Sequence, residues 1–172
     1  MKIAAPRILS VLIAAWVLFS FSACARVERD WLSYRRESGT FLLEGNRNGT
    51  DFSCDVSHRG GELLSIRYLS PDALEGVRVT PISERRYRVE RGDLGAELSE
   101  AMLLQGLLLP AELFLLREAN LLSVQHLSNG DLLRLSSPYV EGEITVTLTE
   151  KGIPRAIASE SVTVRVSPIG KE

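Results

Sequence analysis

The chain has 172 residues, with 20 basic and 22 acidic side chains and a net charge of −2 at neutral pH. This length suits one domain with a sizeable hydrophobic core. The charge balance argues against a nucleic-acid partner, which favours a clear excess of basic residues.

Residues 1–23 have the pattern of a secretory signal peptide. Lys2 and Arg7 precede an almost unbroken apolar run of 14 residues, Ile8 to Phe21. A basic start followed by a short apolar run is typical of export signals. Because a membrane-spanning helix needs about 20 apolar residues, we expect a cleaved signal rather than a transmembrane helix.

The signal ends in Phe21-Ser22-Ala23-Cys24, which resembles the lipobox of bacterial lipoproteins. In that family a cysteine after small residues takes diacylglycerol on its sulfur, so the resemblance implies that Cys24 is the lipid attachment site. The family usually has Leu where this chain has Phe21. Ordinary cleavage after Ala25 is the alternative, because Ala23 and Ala25 form an A-x-A site.

A lipidated Cys24 determines where the protein resides. Acyl chains gain about 0.8 kcal/mol per buried methylene, which holds a protein on a membrane without a spanning helix. We expect a protein anchored to membrane lipid, on the cell membrane or the outer membrane, facing outside the cytoplasm. Removal of residues 1–23 leaves 149 of the 172 residues and, without the two basic residues of the signal, a net charge of −4.

Residues 24–38 are predicted to form the anchor and a short amphipathic helix. Val27, Trp31 and Tyr34 recur at helical spacing among charges of both signs. One domain is predicted to follow, over residues 39–170.

In that domain the hydrophobic pattern changes to a period of two, which indicates strands with one buried face. The clearest sets are Leu64, Ile66 and Tyr68; Ile144, Val146 and Leu148; and Val162, Val164 and Val166. The turn-forming pairs between them are Asn48-Gly49, Gly60-Gly61, Asn129-Gly130 and Lys151-Gly152. Short links without helices predict antiparallel hairpins in a largely meandering sheet.

The segment from Ala101 to Leu116 departs from this pattern. Its only polar side chains are Gln105 and Glu112, and Pro110 divides it so that a helix can begin with Pro in its first turn. The segment is too apolar for a surface helix, and too short and broken to cross a bilayer. We expect it to be covered on nearly all sides, by the sheet or by a ligand.

Motifs for catalysis and metal binding are missing. With Cys24 lipidated, Cys54 has no disulfide partner, and it shares a strand face with Phe52 and Val56, which predicts a buried, inert thiol. Cys54 and His58 lie roughly 13 Å apart on a regular strand, too far for a thiolate–imidazole pair. Neither of the two histidines has a metal-binding spacing, and G-x-S-x-G, Walker and dinucleotide motifs do not occur. We expect no enzyme, no cofactor and no metal.

Ser70-Pro71-Asp72-Ala73-Leu74-Glu75-Gly76 resembles the S-P-x-x-L-x-G turn of LolA-like domains, the bacterial lipoprotein-sorting type. Leu109-Pro110 and Gly152-Ile153-Pro154 fit the same pattern, and the similarity covers residues 34–168. The resemblance implies an α+β fold: an incomplete antiparallel β-barrel, or half-barrel, with covering helices and an apolar interior that holds acyl chains.

The resemblance also implies ligand-binding residues. Leu107, Leu108, Phe114 and Leu115 would line or cover the cavity, and Phe52 and Ile66 would supply part of the sheet wall. The alternative is that these side chains fill a dry core, as most apolar residues do.

We therefore predict a membrane-anchored protein that handles lipid or lipoprotein acyl chains as cargo, without covalent chemistry. Soluble carriers of the LolA-like family have no anchor, so this chain looks more like the anchored, acceptor-type or lipid-binding members. The alternative is a structural or interaction module for an envelope protein on the same fold, with the partner's identity open.

Overall fold

The computed structural model describes residues 31–104 and 106–170. The predicted signal peptide, residues 1–23, and the predicted lipid attachment site, Cys24, lie outside the described residues. Of the predicted amphipathic helix, the described part forms a short 3₁₀ helix, Ser33–Arg36.

Eleven strands form one sheet in the described part of the chain. The strands are β1 Ser38–Arg47, β2 Thr50–Arg59, β3 Glu62–Ser70, β4 Arg78–Ser83, β5 Arg86–Arg91, β6 Leu94–Ser99, β7 Asn120–Leu127, β8 Gly130–Ser137, β9 Val140–Thr149, β10 Pro154–Ala158 and β11 Val162–Ile169. Two short helices, α1 Glu100–Leu103 and α2 Leu109–Leu115, lie between β6 and β7. The order in the sheet is β6-β5-β4-β3-β2-β1-β11-β10-β9-β8-β7, so every pair except β1–β11 joins strands that follow one another in the chain.

The predicted α+β class, an incomplete antiparallel barrel with covering helices, is wrong. Strands hold 62% of the described residues and helices 11%, in one open sheet whose edges are β6 and β7. Gly106 interrupts the leucine-rich segment, because Gly weakens a helix, and a new helix begins around Pro110. The segment therefore forms two helices of four and seven residues, too short to make a covering layer.

The predicted alternation is confirmed in the strands near the C-terminus. The residues buried as predicted are Ile144, Val146, Leu148, Val162, Val164 and Val166. The predicted hairpin turns are confirmed as well. At Gly130, φ is +142° and an added Cβ would lie 1.9 Å from the Leu148 carbonyl oxygen, so glycine is required there.

The prediction that Leu64, Ile66 and Tyr68 share a face is wrong at Leu64. Ile66 and Tyr68 are buried, but Leu64 is 43% exposed. In the β2–β3 pairing, Ser57 lies opposite Ser65 and His58 lies opposite Leu63. Leu64 is therefore the extra residue of a bulge. The bulge reverses the alternation locally and gives the buried position to Leu63.

Helix α2 lies against the buried face of the sheet, and all seven of its side chains are buried. It contacts β3 and β10, which are separated by three other strands, so the sheet curves towards it. Pro110 lies in its first turn, as predicted. Phe114 packs its ring against Phe41, Tyr34 and His58 at centroid distances of 4.8, 5.4 and 5.6 Å.

The carboxyl end of α2 is bound by the 3₁₀ helix that precedes β1. The Tyr34 hydroxyl donates to the Phe114 carbonyl, and the Arg35 guanidinium donates to the carbonyls of Leu115 and Leu116 at 3.0 and 3.2 Å. The last carbonyls of a helix have no partner within it. A cation there also suits the negative end of the helix dipole.

One polar side chain inside this core has no such partner. His58 is buried, and neither of its ring nitrogens has a hydrogen-bond partner among the described residues. Its ring stacks on Phe41, at 5.6 Å, and meets Phe114 edge-on. Burial lowers the pKa of His58, because an apolar environment disfavours the charged imidazolium.

Replacing His58 with Leu should stabilise the protein by about 1 kcal/mol at pH 7, because unsatisfied buried polar groups cost about 1–3 kcal/mol. The unfolded chain takes up a proton on His58 near pH 6.5, whereas burial makes the folded protein take up this proton only at a lower pH. Wild-type stability should therefore decline as the pH falls below about 6.5, and the advantage of His58→Leu should grow. Urea unfolding at several pH values measures both effects.

Phe41→Leu is the matched control, since it alters the same cluster without changing a titratable group. It should lower the stability and leave its pH dependence unchanged. Identical pH dependence in the wild type and His58→Leu would contradict the prediction.

Candidate functional site

A partly open apolar cavity of about 470 Å³ lies between the sheet and the helical segment. Its wall consists of Phe52, Tyr68, Pro71, Leu74, Gly106, Leu107, Leu109, Pro110, Leu113 and Val162, with Arg47, Asn48 and Thr50 from the β1–β2 hairpin. Binding pockets for small ligands typically measure roughly 300–1,000 Å³ and are mostly apolar. The size and lining of this cavity fit such a pocket.

Two of the six residues predicted to bind an apolar ligand line this cavity, namely Phe52 and Leu107. Both are half-buried. The other four, which are Ile66, Leu108, Phe114 and Leu115, are fully buried and are not among the cavity-lining residues. That Phe52 and Leu107 hold a ligand stays a prediction.

The turn between β3 and β4 supplies part of the wall that the sequence did not identify. The Leu74 amide donates to the Pro71 carbonyl at 2.7 Å, and the Gly76 amide donates to the Tyr68 carbonyl at 3.0 Å. This compact turn places Pro71 and Leu74 in the cavity wall. Both are defined positions of the S-P-x-x-L-x-G motif, so the motif itself was the signal that could have located them.

Tyr68 joins the sheet to the helical segment at the cavity. Its hydroxyl donates to the Leu107 carbonyl at 3.0 Å. Burial raises the pKa of Tyr68, and the positive charge of Arg47 opposes this rise. The phenol therefore stays neutral and serves as a hydrogen-bond donor that holds Leu107 at the wall.

Gly45 makes room for Phe52 in the neighbouring strand. The two residues are opposite one another in the β1–β2 pairing. An added Cβ on Gly45 would lie 2.8 Å from the Phe52 ring and 2.4 Å from the Thr163 carbonyl oxygen. A side chain at position 45 would thus displace the ring from the cavity wall.

Cys54 is fully buried, as predicted, and burial raises the pKa of its thiol to about 12. No three His, Cys, Asp or Glu side chains in residues 31–104 and 106–170 are grouped to hold a metal ion. Within the same ranges, no helix has the length and apolar character to cross a membrane.

No protein-family model matches the chain, and no curated protein shows significant sequence similarity to it. Among solved structures, an uncharacterised conserved protein from Thermus thermophilus has a TM-score of 0.53 and 11% identity, over 83% of this chain and 86% of the other. At that identity the similarity concerns the fold alone.

Two further structures match less closely. A LolA superfamily protein from Nitrosomonas europaea has a TM-score of 0.36 and 11% identity, over 77% of this chain and 84% of its own. A DUF1329 family protein from Desulfovibrio piger has a TM-score of 0.35 and 10% identity, over 80% and 89%. A LolA superfamily protein is thus among the structural matches. TM-scores below 0.5 support no further inference.

Replacing Tyr68 with Phe should remove the hydrogen bond to Leu107 and lower the stability by about 1 kcal/mol. It should also loosen the link between α1 and α2, where the amides of Gly106 and Leu108 both donate to the Leu103 carbonyl. Hydrogen exchange measured by mass spectrometry should therefore be faster at Gly106 and Leu108.

Tyr139→Phe is the control, because that hydroxyl interacts with Glu118 outside the cavity. It should leave exchange in residues 106–109 unchanged. If Tyr68→Phe also leaves this exchange unchanged, the phenol does not hold the cavity wall.

Proposed function

We propose that this protein binds the acyl chains of lipids or lipoproteins in the apolar cavity, and that it handles them without covalent chemistry. The observation that carries the proposal is the partly open cavity of about 470 Å³ with a mostly apolar wall. Burial of apolar surface stabilises by about 25 cal/mol per Å². Burial against such a wall is sufficient to bind an acyl chain.

The separation of the cavity from the core favours this function over a simple packed interior. The core around Phe114 is closed, and its large side chains are fully buried. Leu74 and Leu107, in contrast, are half-buried beside an open volume. Apolar side chains that face such a volume meet water unless an apolar ligand covers them.

We further propose that an acylated Cys24 holds this domain on a membrane, outside the cytoplasm. The lipobox-like Phe21-Ser22-Ala23-Cys24 supports this proposal. A domain held at the membrane surface is close to the lipids that its cavity would bind.

A second function, the docking of an envelope protein, is favoured by the open sheet edge at β7. Leu121, Leu122 and Leu127 of this strand are 46%, 57% and 40% exposed. An unpaired edge strand can accept a strand from another chain through its backbone hydrogen bonds. By this alternative, β7 binds the partner and the cavity plays no part.

Residues 26–172, produced in a bacterial cytoplasm without the anchor, should purify with close to one acyl-lipid molecule per chain. Leu107→Asp should remove this lipid, because a carboxylate in the wall opposes an apolar ligand. Native mass spectrometry before and after solvent extraction measures the lipid. Leu107 suits this test better than Phe114, since a charge at the fully buried Phe114 would disrupt the fold.

Leu122→Asp is the matched control on the exposed edge strand, and it should retain the lipid. Circular dichroism and cooperative unfolding establish that both variants are folded. A wild-type domain free of lipid would contradict the proposed function. Loss of a captured envelope protein in Leu122→Asp alone would support the docking alternative.

In bacteria that make the full chain, the wild type should fractionate with membranes and carry a diacylglyceryl mass on its first mature residue. Cys24→Ser should lack both, because serine has no thiol to alkylate. Cys54→Ala is the control and should remain anchored, since Cys54 is buried. A wild-type chain that begins after Ala25 would contradict the anchor and support ordinary cleavage.

A further inference from the structure

We infer that the cavity selects an anionic amphiphile, whose acidic headgroup is bound by Arg47 while its acyl chain lies along the apolar wall. This inference rests on the proposed lipid-binding function and adds the chemical class of the ligand. The headgroup chemistry is a carboxylate or a phosphate, from a fatty acid or from a phospholipid.

The position of Arg47 in the sheet is the first observation. Arg47 is the last residue of β1, and strand alternation places it on the same face as Phe41 and Leu43. Phe41 and Leu43 are buried, and Phe41 packs against Phe114 of α2, whereas Arg47 is half-buried at the end of the strand. Because a charged group loses hydration when it faces an apolar region, such positions normally hold apolar residues.

The second observation is the surroundings of that side chain. Among the described residues that line the cavity, Arg47 is the one that is charged at neutral pH. Its pairing partners across the sheet, Thr50 and Val162, also line the cavity. Its positive charge opposes the rise in the pKa of Tyr68, whose side chain lines the same cavity.

The other polar groups of the cavity are less suited to bind an anion. The Tyr68 hydroxyl donates to the Leu107 carbonyl and carries no charge at neutral pH. Asn48 and Thr50 are exposed and uncharged. A guanidinium, in contrast, presents a planar set of donors that matches a carboxylate or a phosphate. Arg47 is therefore the group that distinguishes an acidic headgroup from a neutral one.

The test uses the full chain, purified from bacterial membranes and reconstituted into phosphatidylcholine vesicles. Three probes carry a photoactivatable diazirine in the same long acyl chain: a fatty acid, the matching fatty alcohol and the matching phosphatidylglycerol. After illumination, peptide mass spectrometry measures the labelling of the peptides that contain Leu74 and Leu107. Wild type, Arg47→Gln, Arg47→Lys and Leu107→Asp are compared.

In the wild type, at least one acidic probe should label these peptides about tenfold more than the alcohol, which corresponds to about 1.4 kcal/mol. Arg47→Gln should reduce labelling by the acidic probe to the level of labelling by the alcohol. Arg47→Lys should keep a preference for the acidic probe, because lysine keeps the positive charge. Alcohol labelling that persists in Arg47→Gln shows that the cavity is still formed. The fatty acid and the phosphatidylglycerol probe identify the source of the anion.

Equal labelling by the alcohol and both acidic probes in the wild type would overturn the headgroup inference and leave lipid binding intact. A preference for acid that survives in Arg47→Gln would also overturn it. If no probe labels the cavity peptides above the level of Leu107→Asp, lipid binding itself fails, and the inference fails with it.

Discussion

The fold depends on satisfying the backbone of α2, a seven-residue helix whose side chains are all buried. A buried helix cannot leave its terminal amides and carbonyls to water, so other parts of the chain must pair with them. Tyr34 and Arg35 bind the carbonyls at its end, across about 80 residues of the chain, and hold the helix on the sheet. The side chain of the buried Glu112 is paired locally, with Arg117 just beyond the helix.

The sheet follows from that arrangement. Phe114 needs aromatic and aliphatic neighbours on several sides, and it finds Phe41 and His58 on adjacent strands. The helix also contacts β3 and β10, from the two halves of the sheet on either side of the β1–β11 pairing. Only a curved sheet brings both halves to one short helix. The unpaired ring nitrogens of His58 are the energetic cost of this packing, since the two rings that pack against it, Phe41 and Phe114, are apolar.

The features that the sequence predicts correctly are local ones. Turn glycines, the period of two near Val164 and the helix start at Pro110 each follow from a few neighbouring residues. The alternation predicts Leu64 on the wrong face, because the bulge depends on the register between β2 and β3. The sequence of one strand does not contain that register. The predicted covering helices are wrong for a similar reason. A high leucine content indicates that a segment is buried, but it does not indicate that Gly106 divides the segment into two short helices. The same limit applies to the site, where composition could not separate cavity-lining Leu107 from the adjacent core residue Leu108.

The cavity and the core differ in a way that bears on function. Glu112 is buried in the described core, where Arg117 pairs with it. Arg47, in contrast, is half-buried at the end of β1 and lines the cavity. A positive charge beside a mostly apolar wall suits a ligand that combines an acidic headgroup with a long apolar part. The cavity thus combines two features that the closed core around Phe114 does not need.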